Sequence, residues 1–311
     1  MEIIVFAGRL KNKLELLESS SGGAFTAISD AFLKNGDAVV CSIYNYDTSQ
    51  PEFCIIHDEE KRNQARGSKY MQSKPGEIFK EAIIWLQNNQ NKKLLFVGMG
   101  CQVDGFRKYV EMKGFRERVV LVDIICHGSS SPKLWREYAK TIGKIQYLTF
   151  KDKRNSWINP TALAIVNNEE IILSEYIKVF YNQCTLRPSC YQCPYATILR
   201  KTDITIGDYW GIERVMPNFF SPDGNSLFLI HTEKGMDLWN SIENDLVYER
   251  SSVGDCLQPS LVKPTKRSRY RKYFWKAYRK YGAAYVVKKY GDPSYQMGLK
   301  SKVKALIKRN N

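Results

Sequence analysis

Two short apolar runs, KKLLFVG at 92–98 and RVVLVDII at 118–125, constrain this chain more than any other feature. Each is continuously hydrophobic, as a strand buried on both faces must be, and each leads into a helical pattern, VDGFRKYVEMK or SPKLWREYAKTIG. That alternation predicts parallel strands joined by helical crossovers. Both runs also end alike. Met99-Gly100-Cys101-Gln102 follows the first and Cys126-His127-Gly128-Ser129 the second. Cys101 and Cys126 are therefore expected just past the carboxyl ends of strands, where open α/β sheets place their ligands, and close together in space.

The remaining elements extend this plan. MEIIVFAGRLKNK reads as a first strand, because its apolar run has neither a basic leader nor a small-residue cleavage site. AVVCSIY (38–44) and the segment around PEFCIIH read as strands, followed by a helix from about 76 to 89. From Ile145 the pattern shortens and alternates through YLTFKDKRNSW and TALAIVNNEEIIL, then a short helix SEYIKVFYNQ, which predicts antiparallel structure. SLFLIHT and EKGMDLWNSIEN return to βα character. The expected architecture is α/β: a mostly parallel sheet flanked by helices, an inserted antiparallel sub-domain over about 145–215 carrying a cysteine loop, and a basic helical C-terminal tail. Residues 1–262 form the main region and 263–311 the tail. No run of about 18 apolar residues predicts a transmembrane helix, so the reading places the chain in the cytoplasm.

The cysteine loop runs from Cys184 to Gly211, CTLRPSCYQCPYATILRKTDITIGDYWG. Cys190 and Cys193 form a C-x2-C pair, a spacing that lets two thiolates reach one metal centre from a single turn of backbone. With Cys184, and with Cys101 and Cys126 at the strand ends, the chain holds enough thiols for a four-cysteine site. A 4Fe–4S cluster and a structural zinc both satisfy that count, and a site without metal is the third reading. Cys41, Cys54 and Cys256 sit singly and read as ordinary buried thiols. His127 reads as a residue that packs beside or orients a ligand. Asp208, in the Gly-Asp-aromatic-aromatic-Gly turn, either orients a loop at the site or caps a turn. No Ser/His/Asp order, HExxH motif or GxxxxGK loop is present.

Two further stretches have anion-binding chemistry. Ser19-Ser20-Ser21-Gly22-Gly23 precedes a helical stripe at 25, 28, 32 and 33, which puts the Ser/Gly run at a helix N-terminus suited to phosphate. The alternative is a serine N-cap with glycines for tight packing. Residues Ala65 to Lys74 mix basic side chains, hydroxyls and a glycine, and read either as a cradle for an anionic cofactor or as a solvated turn.

The charge is uneven. Of the net +15, the whole excess falls between Lys263 and Asn311, which hold 16 Lys and Arg against one acid, Asp292. Such a tail suits an acidic protein partner, an anionic membrane surface at the inner face, or nucleic acid. Solvated C-terminal helices are the plainer reading, and no nucleic-acid motif accompanies the charge.

Taken in order, SSSGGAFTAI (19–28), GSKYMQSK (67–74), GMGCQVDGFRK (98–108), VDIICHGSSSPKLW (122–135), FKDKRNSW (150–157), RPSCYQC (187–193) and DITIGDYWG (203–211) resemble the coenzyme F420 hydrogenase/dehydrogenase beta-subunit family. They are most similar to its bacterial members associated with extracellular polysaccharide biosynthesis. The resemblance implies a flavin and iron–sulfur oxidoreductase that passes electrons between a deazaflavin or ferredoxin-type carrier and a second partner. It implies FAD, with Ser20, Ser21, Gly22 and Gly23 at the pyrophosphate and Ser68, Lys69, Gln72, Ser73 and Lys74 steadying the flavin or incoming coenzyme. It implies one 4Fe–4S cluster on Cys101, Cys126, Cys190 and Cys193, with Cys184 in reserve. Gly98-Met99-Gly100-Cys101 departs from the family's usual Gly-Thr-Pro-Cys, and no N-terminal ferredoxin-like module precedes the first strand, so a separate acidic carrier such as a ferredoxin is expected to dock on the basic tail. The competing function is a zinc- or cluster-stabilised accessory protein of a polysaccharide assembly complex, without catalysis.

Overall fold

The computed structural model describes residues 2–292. Its strands are β1 (Ile4–Leu10), β2 (Ala38–Asn45), β3 (Gln50–Ile56), β4 (Leu94–Met99), β5 (Val119–Ile124), β6 (Ile145–Asp152), β7 (Thr161–Val166), β8 (Glu169–Ile172), β9 (Ile204–Asp208), β10 (Ser226–Ile230) and β11 (Leu246–Ser251). Eight of them form one mixed sheet in the order β11-β1-β10-β9-β5-β4-β2-β3, and β6-β7-β8 form a second, antiparallel sheet. At the centre of the large sheet β2, β4, β5 and β9 run parallel. Antiparallel pairs close both sides, β3 on one and β10, β1 and β11 on the other.

The two continuous apolar runs are β4 and β5, and their burial explains their composition. Leu95, Val97, Val120 and Val122 face one core with the helices Ala24–Lys34 and Glu233–Ile242. Leu94, Phe96, Val119 and Leu121 face the other with the helices Ile78–Asn88 and Gly100–Met112. Successive side chains alternate between faces, so strands covered on both sides read as continuous apolar runs; Asp123 near the end of β5 is the buried exception, paired with Arg200 at 2.8 Å.

The segment from Ile145 forms the expected antiparallel sheet, with a hairpin at Asn167 and Asn168. Both take positive φ, 52° and 65°, as a two-residue turn matched to strand twist requires. One strand departs from the expected grouping. Ile204–Asp208, placed by the sequence in the cysteine-loop sub-domain, is β9 and lies inside the large sheet between β5 and β10. The fully buried Asp203 anchors it there. Its carboxylate accepts the backbone N–H of Leu121 (2.8 Å), the Arg116 guanidinium (2.8 Å) and the Thr232 hydroxyl (2.8 Å).

The described part of the basic tail is packed against the body. The helix Arg271–Gly291, broken at Gly282 (φ 79°), lies on the helices Ser174–Tyr181 and Pro132–Ile142. Phe274, Val286 and Tyr290 share a core with Leu134, Val179 and Cys184. Residues 293–311, the remainder of the expected tail, lie outside the described residues. Among the described residues no helix is long and apolar enough to cross a membrane.

Candidate functional site

A cavity of about 450 Å³ opens where the parallel strands end. Its wall is built from the Ser/Gly loop, the 65–73 loop and the residues that follow β4, β5 and β9. Ligand pockets commonly span about 300–1,000 Å³, and the carboxyl edge of an open sheet is where they occur.

The Ser/Gly loop is shaped by close backbone approach. A Cβ on Gly22 would lie 2.4 Å from the Gly8 carbonyl and 2.5 Å from the Ser226 nitrogen, so only glycine lets the loop seat between β1 and β10. Gly23, at φ 87°, is the N-cap of the helix Ala24–Lys34. The serine N-cap that the sequence also allowed is absent: Gly23 supplies no side-chain cap, and the Ser226 hydroxyl accepts the Ala24 N–H (3.4 Å). Ala24, Phe25 and Thr26 line the cavity, so the N-terminus of this helix faces it. Ser20 and Ser21 line it too. Ser20 accepts the Ser68 N–H (3.1 Å), and Ser21 donates to the Asn225 carbonyl (2.8 Å).

The 65–74 loop divides. Ser68, Lys69 and Ser73 line the cavity, Gln72 lines a neighbouring cleft, and Lys74 is exposed outside both. Lys69 turns its amine inward to the carbonyls of Ala65 (2.6 Å) and Arg66 (3.1 Å), and desolvation brings its pKa down to about 8. Ser73 pairs with Ser42 at 2.7 Å. Gly22 stands behind the wall as a packing residue.

Asp208, at the end of β9, lies on the wall in a paired state. Its carboxylate accepts the Lys151 ammonium and the Trp157 indole N–H (3.0 Å). Lys151 sits 5.4 Å from the ring centre of Trp210, which stacks on Trp157 with centroids 5.2 Å apart. Lys153, from the same FKDKRNSW stretch, donates to the carbonyls of Leu16 (2.6 Å), Ser21 (2.9 Å) and Asp223 (2.6 Å). Burial lowers its pKa to about 8 against the opposing pull of Asp223. These two lysines hold the wall of the cavity together, and sequence reasoning misses them. The one signal for them is their spacing, two residues apart at a strand end, one for each neighbouring segment.

Beside the cavity is a cleft of about 90 Å³ lined by Cys101, Cys126, Cys190 and Cys193 together. Cys101 sits in the first turn of Gly100–Met112, where Gln102 accepts the Met99 N–H at 3.0 Å. The Met-Gly turn thus still presents the thiol. A Cβ on Gly100 would come 3.0 Å from both Asp123 and Tyr195, so the glycine sets how closely this helix approaches the cysteine loop. That loop is pinned by Arg187 N–H to the Ser129 carbonyl (2.9 Å) and Cys190 N–H to the Arg187 carbonyl (3.0 Å). Desolvation raises the Cys101 pKa and pushes Cys126 up to about 12, and in both the neighbouring thiols raise it further. Four thiols in one desolvated cleft repel one another as thiolates, a donor set that a bound cation would balance. Among the described residues no three His, Cys, Asp or Glu side chains converge at the spacing of a single metal ion. Cys184 lies elsewhere, buried with its sulfur 3.4 Å from the Ser268 hydroxyl.

Cavity and cleft share a wall made of Met99, Gln102, Cys126 to Ser129 and Ser260. His127 belongs to that wall; its Nε2 is buried with no partner among the described residues, and burial lowers its pKa, so the ring is neutral near pH 7. Cys41 also lines the cavity, opposite Cys54 in the β2–β3 pair.

The fold and site define an α/β protein that joins an anion-suited cavity to a four-thiol cleft at the carboxyl edge of a parallel sheet core. Residues 5–79 match the N-terminal family of the coenzyme F420 hydrogenase/dehydrogenase beta subunit, and residues 91–255 match the family of its C terminus. The chain belongs to the coenzyme F420 hydrogenase/dehydrogenase beta-subunit family. It is also similar to a chain of the F420-reducing [NiFe] hydrogenase complex from Methanosarcina barkeri, solved after xenon derivatization. That likeness covers 97% of this chain and 91% of the other, with a TM-score of 0.55 at 19% identity, and bears on the fold. No curated protein matches the chain.

Proposed function

We propose that this protein is a flavin- and iron–sulfur-dependent oxidoreductase. The cavity would hold FAD and the thiol cleft one 4Fe–4S cluster, and electrons would pass between a deazaflavin or ferredoxin-type carrier and an acceptor in polysaccharide biosynthesis. The observation that carries this reading is the shared wall, since two redox groups divided by Met99, Gln102, Cys126 to Ser129 and Ser260 would be neighbours.

The residues suit both groups. The helix N-terminus after Gly23, with the Ser20 hydroxyl, offers N–H and O–H groups to a pyrophosphate. Lys153 holds the Ser21 carbonyl from behind and places a positive charge against the same loop. The unpartnered Nε2 of His127 is a buried polar atom for a ligand in the cavity or cleft to satisfy. Four thiols on the wall of one cleft match the four-cysteine ligand set of a 4Fe–4S cluster. When bound, the flavin supplies exchange between two-electron and one-electron traffic, and the cluster carries single electrons. The chain's own residues bind, orient and cover both groups. Lys151 and Trp157 keep the Asp208 carboxylate paired, and Trp210 walls the cavity beside them.

Anaerobic purification with a visible spectrum and iron, sulfide and zinc analysis tests the proposal. Flavin bands and about four irons per chain are expected; zinc without flavin would overturn the reading. Cys190→Ser should abolish the iron–sulfur absorption and keep the flavin bands, whereas Cys184→Ser should keep both. Loss of the cluster in the Cys184 variant would refute the ligand set.

A further inference from the structure

The basic C-terminal stretch and the thiol cleft, far apart in sequence, meet in the structure. Between Lys263 and Asp292 the chain carries eleven Lys and Arg and one acid. The stretch begins at the cleft: Lys263, Pro264 and Thr265 line it together with Arg187 and Arg200. It is then clamped to the cysteine loop and the β5 end. Thr265 donates to the His127 carbonyl (2.5 Å), and Arg271 and Trp275 both donate to the Cys184 carbonyl (2.6 and 3.0 Å).

Among the described residues no Asp or Glu lines the cleft. Arg187, Lys201, Lys263, Lys266 and Arg267 are exposed, and no side-chain hydrogen bond or ion pair ties any of them to another described residue. On the same loop Leu199 is 76% exposed beside the exposed Pro194. Cys101 is itself exposed, and the other three thiols of the cleft are half-buried. Unpaired cations at and beside a cleft proposed to hold a redox group, with an exposed leucine next to the cleft residue Arg200, suit a transient, electrostatically steered contact.

We propose that the basic rim formed by Arg187 and Lys263 at the cleft, and by the exposed Lys201, Lys266 and Arg267 that follow the cleft residues Arg200 and Thr265 along the chain, is the docking surface of a small acidic electron-carrier protein. This rests on the reading that the cleft holds a cluster. Each encounter passes one electron from the reduced carrier, which is oxidised by that one electron, to the group held by the four thiols, with no bond made or broken. Arg187 and Lys263 line a concave cleft, which a convex protein surface meets better than a flat bilayer does.

The test uses the full chain, purified anaerobically, and a reduced acidic [2Fe–2S] ferredoxin as probe in stopped-flow mixing. The second-order rate should fall steeply as salt rises. The double variant Lys266→Glu/Arg267→Glu should cut the low-salt rate by about tenfold or more, while Lys80→Glu, on an exposed helix outside the rim, should leave it unchanged. A fully loaded rim variant that reacts at the wild-type rate would overturn the proposal. So would salt-sensitive binding to phosphatidylserine vesicles that the double variant loses while its ferredoxin rate stays intact. If the wild-type protein has no flavin or cluster bands, the oxidoreductase reading fails by itself. Titration calorimetry with oxidised ferredoxin then still decides the surface: salt-sensitive affinity lost in the double variant supports it, and no affinity sinks it.

Discussion

Lys153 sits where three chain segments meet, and its three N–H donors go to the carbonyls of Leu16, Ser21 and Asp223. Lys153→Met leaves those carbonyls without their cation and frees the Ser/Gly loop. It should weaken FAD binding about tenfold or more, read by flavin fluorescence, and destabilise the flavin-free protein by about 2–3 kcal/mol. Lys69 makes a pH prediction. Its folded pKa of about 8 lies below the ordinary 10.5. Below pH 8 both folded and unfolded states hold the proton, and the folded state bears a constant desolvation cost. Between about 8 and 10.5 the unfolded chain binds more protons, so unfolding free energy rises with pH, by at most about 1.4 kcal/mol per unit. Denaturant titrations across that window should show the rise in the wild type and its loss in Lys69→Met; equal slopes would refute it. The residue types at both lysines were legible in the sequence. Their partners were not, because Lys153 answers to carbonyls contributed from Leu16, Ser21 and Asp223, far from it along the chain.

The elements follow the periodicity of the chain closely, and the places where they do not are instructive. β4, β5 and their helices form as the apolar runs dictate, with the thiols of Cys101 and Cys126 just beyond the strand ends. Local pattern puts β9 in the wrong unit, since five apolar-rich residues signal a strand without naming the sheet. Asp203 supplies the missing information through three buried hydrogen bonds to the large sheet and its flanks. The helix Pro132–Ile142 joins the two sheets through Trp135, which is fully buried. Its indole N–H donates to the Tyr44 hydroxyl of β2 (2.9 Å), and its ring packs on Phe150 of β6 and on Tyr176. Trp135→Ala should cost about 3–5 kcal/mol in urea unfolding, and it should expose the small sheet to proteolysis before the large one. A variant that unfolds in one transition at wild-type stability would refute that role.

At the scale of the whole molecule, cavity and cleft are assembled from both halves of the chain, so ligand binding should be coupled to global stability. FAD at about a hundred times its dissociation constant should add about 2.7 kcal/mol, read as a rise in Tm that Lys153→Met diminishes. An unchanged Tm under saturating FAD would count against the cavity as a flavin site. The sequence alone determined the α/β class, the strand-end positions of two thiols, the C-x2-C pair and the charge of the C-terminal stretch, because each is written in local periodicity, spacing or composition. The tertiary structure alone decided that Cys190 and Cys193 line a cleft with Cys101 and Cys126 while Cys184 does not. It also decided that Lys74 lies outside the cavity, that Gly23 and not a serine caps the helix at the Ser/Gly loop, and that the basic stretch begins at the thiols. These are contacts between residues distant along the chain, set by how strands pair and helices pack, and no local pattern encodes them.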